Sequence, residues 1–255
     1  MSNSLTAKKP STTAGPRLGF WLETPHHQAC EIAANCGFSV VVLDMEHGSL
    51  SDRDADLLIP FCAALGLEVY SRVSETSRAS IQHALDAGAA GVILPQIRSL
   101  AEAETAIAYA KFPPLGTRGF GYSRIQRYSA VEPTWTDAQN VSTRCYVMIE
   151  TAEAVEQAGA IAALPSVDGL FVGPADLALS RGQPPGRWND AAFADLDRVG
   201  RAARAAGKSF ATAGGHNAEC RRIAASHDAH FVTVADDLSA LVAGFQKLFD
   251  AVAEA

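Results

Sequence analysis

The sequence alternates between short apolar runs, rich in Val, Ile, Leu and Phe, and longer Ala-rich stretches in which polar residues recur on one side. Short apolar runs bounded by loops are typical of buried strands, and the periodicity of the longer stretches is typical of amphipathic helices. Eight such pairs can be drawn along the chain. We predict strands at residues 17–23, 39–44, 68–73, 91–95, 144–150, 169–173, 208–213 and 230–235, each followed by a helix.

Consecutive βα units of this number predict an α/β fold in the form of a closed (β/α)8 TIM barrel. The length of 255 residues is typical of one such barrel, and no linker-like segment divides the chain. We expect a disordered tail over residues 1–15 and a single barrel domain over residues 16–255. The third strand has the weakest pattern because its polar and apolar residues alternate, and an open, doubly wound sheet is the alternative fold.

Composition narrows the class of protein. Hydrophobic residues make up 48% of the chain, charged residues 19%, and the net charge is -7, which argues against a nucleic acid partner. No apolar run approaches the roughly 20 residues of a membrane span, and the first fifteen residues lack the hydrophobic core of a secretory signal. We expect a cytoplasmic enzyme without a membrane partner. The cysteines show no CxxC spacing and are expected to be buried free thiols: Cys30, Cys36, Cys62, Cys145 and Cys220.

Chemistry in a (β/α)8 barrel is expected from residues just after each strand. Glu150 and Asp176 are lone carboxylates at the ends of adjacent predicted strands, which indicates a metal site with oxygen ligands suited to Mg²⁺, Mn²⁺ or Co²⁺. A helix cap or a surface ion pair is the alternative role for each carboxylate. Other residues at strand ends are Glu23, the segment 44–48, Arg72, Gln96, Arg98, His216, Asp236 and Asp237.

No lysine directly follows a predicted strand, so we expect no Schiff base. Barrel enzymes that form an enolate use either a lysine imine or a metal, so a metal-dependent mechanism is favoured. The glycine-rich segments lack the spacing of dinucleotide or P-loop fingerprints, and no nucleotide cofactor is expected. His216 is a minor candidate for substrate contact, whereas solvent-facing positions are expected for the remaining histidines His26, His27, His83, His227 and His230.

Five segments at matching strand ends carry a family resemblance. They are DMEHG at 44–48, RV at 72–73, PPLGTRGFG at 113–121, IET at 149–151 and VDGLFVGPADL at 167–177. In this order they resemble the HpcH/HpaI aldolase and citrate lyase family, over residues 18–255. Two positions depart from the pattern, because many members have Gln where this chain has Met148 and Ser where it has Ala178.

The resemblance implies a phosphoenolpyruvate/pyruvate-domain-like barrel and a metal-dependent class II pyruvate aldolase. Such an enzyme cleaves or forms 4-hydroxy-2-oxo acids from pyruvate, or a related 2-oxo acid, and an aldehyde, through an enolate that a divalent cation stabilises. The implied metal ligands are Glu150 and Asp176. His47 is implied to transfer protons, and Arg72 to hold the keto oxygen.

The pyruvate carboxylate is implied to bind the backbone amides of Ala175 and Asp176, with Pro174 and Met148 in the same substrate pocket. Asp86 matches the motif of a residue that orients His47 from an adjoining subunit, and a surface position is its alternative. The segment 121–140 is expected either to line the acceptor pocket, from its own or a neighbouring chain, or to be a surface loop. The apolar face of the last helix, together with the resemblance, implies a homo-oligomer, with helix exchange and a hexamer.

Two other functions stay open from the sequence. One is a citrate-lyase-like acyl-CoA lyase, which would need a basic path for the nucleotide phosphates. The other is a non-catalytic metabolite-binding barrel, which would not need an acid or base such as His47.

Overall fold

Eight parallel strands form a closed barrel in which each strand pairs with the next and β8 pairs with β1. The structure is a computed structural model that describes residues 15–253. The strands are β1 Arg17–Leu22, β2 Val40–Asp44, β3 Glu68–Arg72, β4 Gly91–Leu94, β5 Arg144–Ile149, β6 Gly169–Val172, β7 Ser209–Thr212 and β8 Phe231–Asp236. The (β/α)8 prediction is confirmed, and each predicted strand end agrees within one residue. The predicted disordered tail lies, but for residue 15, outside the described residues.

At least one helix follows every strand, as predicted, and β4 and β6 are each followed by two helices. They are α1 His27–Cys36, α2 Asp52–Ala64, α3 Arg78–Asp86, α4 Leu100–Ala108, α5 Trp135–Ser142, α6 Ala152–Ala162, α7 Pro174–Ser180, α8 Asp190–Ala205, α9 Ala218–Ser226 and α10 Asp237–Ala253. A short 3₁₀ turn covers Arg124–Gln126. None of the helices within residues 15–253 is both long and apolar enough to cross a membrane.

Polar caps set where the helices begin. Ser51 and Asp54 form a capping box at the start of α2, and Thr151 caps α6 through its hydroxyl. Such caps satisfy backbone N–H groups that have no partner within the helix. Because each helix starts near the carboxyl end of the preceding strand, the caps also order the loops at that end of the barrel.

The positions of the β3 residues in the barrel explain the weak sequence pattern of this strand. Its inward positions are Glu68 at the bottom of the barrel, Tyr70 in the interior and Arg72 at the mouth, whereas Val69 packs outward against the helices. Two of these three inward-facing residues are polar because Glu68 and Arg72 lie at the two ends of the barrel, outside its apolar interior. The interior layer around Tyr70 consists of Val40, Val42, Ile93, Tyr146, Met148, Phe171, Ala211 and Phe231.

A polar network closes the bottom of the barrel. Glu68 accepts hydrogen bonds from Arg17 and from the Tyr70 hydroxyl at 2.5 Å, and the Tyr146 hydroxyl lies 2.9 Å from His230 Nδ1. Burial alone would raise the pKa of Glu68, but its hydrogen bonds from His230, Tyr70 and Arg17 hold that pKa well below its usual range.

Two sequence predictions need correction. His230 belongs to this bottom network, and His227 is largely buried with Nε2 2.8 Å from Asp197, so neither histidine faces solvent as predicted. Cys36 is exposed, whereas the other cysteines are buried free thiols as expected. Long-range partners decide these cases, and local sequence does not reveal them.

Candidate active site

The mouth of the barrel gathers four of the predicted site residues. Arg72 ends β3, Glu150 directly follows β5, Asp176 lies in the first turn of α7 after β6, and His47 lies in the loop after β2. Strand ends of a parallel barrel share one face. The site is therefore assembled from four separate βα loops.

Glu150 is fully buried, and only one of its two carboxylate oxygens accepts a hydrogen bond from the described residues. Its Oε1 accepts a 2.5 Å hydrogen bond from the backbone N–H of Gln96, a non-glycine residue with φ +56. Its Oε2 has no hydrogen-bond partner among the described residues. Burial, reinforced by the nearby charges of Asp176 and Glu46, raises the pKa of Glu150 to about 7. Burying a carboxylate oxygen without a partner is costly, and a bound cation would offset this cost.

The donors fit a divalent metal ion. Glu150 and Asp176 supply hard oxygen ligands, and their mutual repulsion would be relieved by a cation between them. Within residues 15–253 no group of three or more His, Cys, Asp or Glu side chains is arranged to hold an ion. A site built on two carboxylates leaves the remaining coordination positions to water and substrate.

Arg72 is held on three sides. Its guanidinium makes two bonds to Asp44, one of them from Nε to Oδ1 at 3.0 Å, and Nη1 lies 3.3 Å from Glu46. The guanidinium carbon also lies 4.8 Å from the centre of the Trp21 ring. With only 7% of its surface exposed, Arg72 has a fixed orientation at the mouth.

The loop after β2 is shaped by the same aspartate. Asp44 Oδ1 accepts hydrogen bonds from the backbone N–H groups of Glu46 at 3.1 Å and His47 at 3.0 Å. A Cβ at Gly48 would lie 2.3 Å from the Asp44 carbonyl oxygen, so only glycine fits this turn. The loop leaves the His47 side chain exposed at the mouth.

The turn before α7 approaches Glu150 closely. A Cβ at Gly173 would lie 2.4 Å from Met148 Cε and 3.0 Å from Glu150 Oε2. Pro174 occupies the first helical position, and the N–H groups of Ala175 and Asp176 belong to the first turn, which lacks acceptors within the helix. Met148 is buried in the barrel interior, and its Cε and Glu150 Oε2 approach Gly173 from the same side.

The structure of one chain does not bring Asp86 to the mouth. Asp86 is the last residue of α3, at the bottom of the barrel, and it accepts a 2.6 Å hydrogen bond from Arg118. The segment 121–140 starts near the same end, since Arg124 lies beside Gly88. Neither feature covers the mouth of its own barrel, so any contribution to the site has to come from a second copy.

Sequence reasoning assigned no role to Asp44, Glu46 or Trp21. Asp44 and Arg72 are register partners across the β2–β3 pair, but strand register is not visible in a single sequence. The available signal was position alone, because Asp44 and Glu46 follow an apolar strand and Trp21 lies near the end of the first.

Lys111 and Lys208 both lie away from the mouth. Lys111 is buried near the opposite end, where Nζ contacts Asn140 O at 2.8 Å, Thr143 O at 2.6 Å and Asp168 Oδ2 at 2.7 Å. Lys208 binds backbone carbonyls ahead of β6.

Fold and site together define a (β/α)8 barrel enzyme with paired carboxylates beside a clamped arginine. A family model described as HpcH/HpaI aldolase/citrate lyase matches residues 17–242, and the chain belongs to this family. It is 37% identical to the 4-hydroxy-4-methyl-2-oxoglutarate aldolase cghB of Chaetomium globosum over 73% of this chain and 71% of that protein. It is 32% identical to the 4-hydroxy-2-oxovalerate aldolase of Novosphingobium aromaticivorans over 71% of this chain and 70% of that protein.

A solved structure agrees with this assignment. The crystal structure of an HpcH/HpaI aldolase from Desulfitobacterium hafniense superposes with a TM-score of 0.88 at 26% identity, covering 95% of this chain and 94% of that one.

Proposed function

We propose that the protein is a divalent-metal-dependent class II aldolase that cleaves or forms 4-hydroxy-2-oxo acids. Pyruvate or a related 2-oxo acid is one partner in the reaction, and an aldehyde is the other. The protein is a carbon–carbon lyase, in keeping with relatives that are named aldolases. The observation that carries the proposal is the buried, unpartnered Oε2 of Glu150 beside Asp176 and Arg72.

The two carboxylates are the proposed metal ligands. A Mg²⁺, Mn²⁺ or Co²⁺ ion held by Glu150 and Asp176 would act as a Lewis acid toward the 2-oxo group. The backbone N–H groups of Ala175 and Asp176 bind the carboxylate of the 2-oxo acid at the start of α7, with Pro174 and Met148 as neighbours.

Arg72 stabilises the negative charge that develops on the keto oxygen. Its fixed orientation means that little reorganisation is needed during the reaction. His47 accepts the proton of the C4 hydroxyl as the C3–C4 bond breaks, and the electron pair of that bond passes into the enolate. An imidazole suits this step because its ordinary pKa is close to neutral pH.

Assembly completes the proposal. Asp86 of one chain would orient His47 of another, and the apolar side of α10 would join copies into a homo-oligomer, with a hexamer as the proposed form. This side is exposed in the single chain and consists of Leu238, Leu241, Val242, Phe245, Leu248, Phe249 and Val252. The proposed compartment is the cytoplasm.

The test is pyruvate release from a panel of 4-hydroxy-2-oxo acids, with and without chelator. We expect release that depends on added metal. His47→Asn should keep metal binding and lower the rate by roughly 10²–10⁴-fold. His83→Asn, which alters a histidine paired with Asp56 outside the mouth, is the matched control. No release from any substrate, or full activity in chelator, would contradict the proposal.

A further inference from the structure

The loop between β4 and α4 holds one residue in an unusual backbone conformation beside a proposed metal ligand. Gln96 lies two residues after β4 and has φ +56, in the left-handed region that residues with a Cβ rarely adopt. Its backbone N–H donates a 2.5 Å hydrogen bond to Oε1 of the buried Glu150. Glycine would supply the same N–H without the steric cost, which indicates that the glutamine side chain itself has a use at this position.

The chain that follows Gln96 is anchored to the helices. Ile97 is buried among the residues that face the helix layer. Arg98 donates its backbone N–H to Glu102 Oε2 at 2.8 Å, and its carbonyl accepts a 3.1 Å hydrogen bond from Gln157 Nε2 on α6. Together with the N–H bond of Gln96, these contacts fix the backbone of the loop, so that the Gln96 side chain starts from a defined place at the mouth.

The amide group of Gln96 is uncommitted. The side chain is exposed, and within the part of the chain that the structure describes its amide makes no hydrogen bond to another residue. The other side chains proposed to act at the mouth are carboxylates, a guanidinium and an imidazole. A primary amide differs from them because it is neutral and offers both donors and an acceptor. This combination matches a substrate hydroxyl, which also donates and accepts.

The strand order places this amide near one end of the proposed substrate. The strands β2 to β6 are consecutive neighbours in the barrel, so Arg72 after β3 lies between the His47 loop after β2 and Gln96 after β4. The substrate carboxylate is proposed to bind at the start of α7, after β6. The 2-oxo group is proposed to lie at the metal and Arg72, and the chain of the substrate therefore runs from the β6 side towards β2–β4, where C4 and its oxygen lie.

We infer that the Gln96 side chain binds the C4 oxygen of the aldol substrate, the atom that becomes the carbonyl oxygen of the aldehyde. The amide NH₂ group donates to this oxygen, and His47 takes up the hydroxyl proton. Gln96 exchanges no proton itself, so the proton and electron balance of the cleavage step is unchanged. This inference rests on the proposed function, because it assigns a contact to the substrate of that reaction.

The experiment compares wild type with Gln96→Gly and Gln96→Met. Both variants keep the N–H that binds Glu150, and Gln96→Gly also relieves the left-handed backbone. Retro-aldol kcat/KM for 4-hydroxy-2-oxovalerate should fall by roughly 3- to 10-fold in both, the usual effect of losing a neutral hydrogen bond. Mn²⁺ affinity and deuterium exchange of the pyruvate methyl protons should stay at wild-type values. Gln96→Gly should unfold at the same urea concentration as wild type or a higher one, so a damaged fold cannot explain its slower cleavage.

A matched ligand and a matched variant serve as controls. 2-Oxovalerate differs from the substrate only in lacking the C4 hydroxyl, and its inhibition constant should be the same in all three proteins. Gln246→Met alters an exposed glutamine on α10 whose amide binds Asp250 at 2.6 Å, and it should leave kcat/KM unchanged.

Three results overturn the contact while the aldolase stands: wild-type kcat/KM in both Gln96 variants, an equal fall in cleavage and pyruvate exchange, or an equal loss of 2-oxovalerate binding. Absence of metal-dependent pyruvate proton exchange in the wild-type protein overturns the aldolase and the contact together.

Discussion

Asp44 and Arg72 face each other across the β2–β3 pair, and the carboxylate binds both Nε and Nη2 of the guanidinium. The same carboxylate holds the backbone of the His47 loop. One buried aspartate therefore sets the position of the arginine and of the histidine loop.

Asp44→Asn tests this positioning role. We expect a loss of about 1–3 kcal/mol in the free energy of unfolding, below the usual cost of breaking a buried pair because Glu46 still faces Arg72. We expect kcat to fall by roughly 10²-fold or more, because the guanidinium is no longer aimed. Denaturant titration and steady-state kinetics measure both effects. Asp52→Asn, at an exposed position, is the control, and a wild-type kcat in Asp44→Asn would refute the positioning role.

Glu68 gives a stability prediction that depends on pH. Its folded pKa lies below the unfolded value, so its contribution to stability is present above the unfolded pKa and is lost as pH falls through the folded pKa. Glu68→Gln should therefore destabilise the protein by about 1–2 kcal/mol at pH 7, a figure reduced because the network is partly open to solvent. The difference from wild type should shrink below about pH 4. Urea titrations at pH 7 and pH 3.5 make the comparison, and a constant difference would count against the network.

Gly173 keeps space beside the proposed ligand. The methyl group of Gly173→Ala would press on Met148, which can move, and on Glu150, which the Gln96 N–H holds. Metal affinity should fall by roughly tenfold or more, as for other changes that displace a ligand. Gly159→Ala is the control, because its methyl group enters open space on α6 and should be neutral or stabilising. Metal affinity of both variants can be measured by calorimetric titration. Equal affinities in Gly173→Ala and Gly159→Ala would show that a methyl group at position 173 does not crowd the proposed ligand.

Lys111 is predicted to be structural. Lys111→Met leaves Asp168 and two carbonyls without their buried cation, and should cost about 3 kcal/mol of stability.

Borohydride with pyruvate should trap no adduct on the wild-type protein, as mass spectrometry can check. A lysine adduct would replace the metal mechanism by a Schiff base.

Much of the fold was accessible from the sequence because each βα unit carries its own local pattern. Glu150 and Asp176 could be singled out because each is a lone carboxylate at the end of one of two adjacent predicted strands. The Asp44–Arg72 pair, the bond between Asp86 and Arg118, and the burial of Lys111 depend on register and long-range packing. Those relationships join residues far apart in the chain, and no local pattern encodes them.

The metal role of Glu150 and Asp176 is the central claim. The direct measurement is Mn²⁺ titration together with deuterium exchange of the pyruvate methyl protons, for wild type, Glu150→Gln and Asp176→Asn. Glu150→Gln should fold normally, because glutamine is a neutral isostere of glutamate. The carboxyl group that it replaces is buried and has a pKa raised to about 7. Both variants are predicted to lose Mn²⁺ binding and exchange together. Wild-type Mn²⁺ affinity and exchange in either variant would contradict the account.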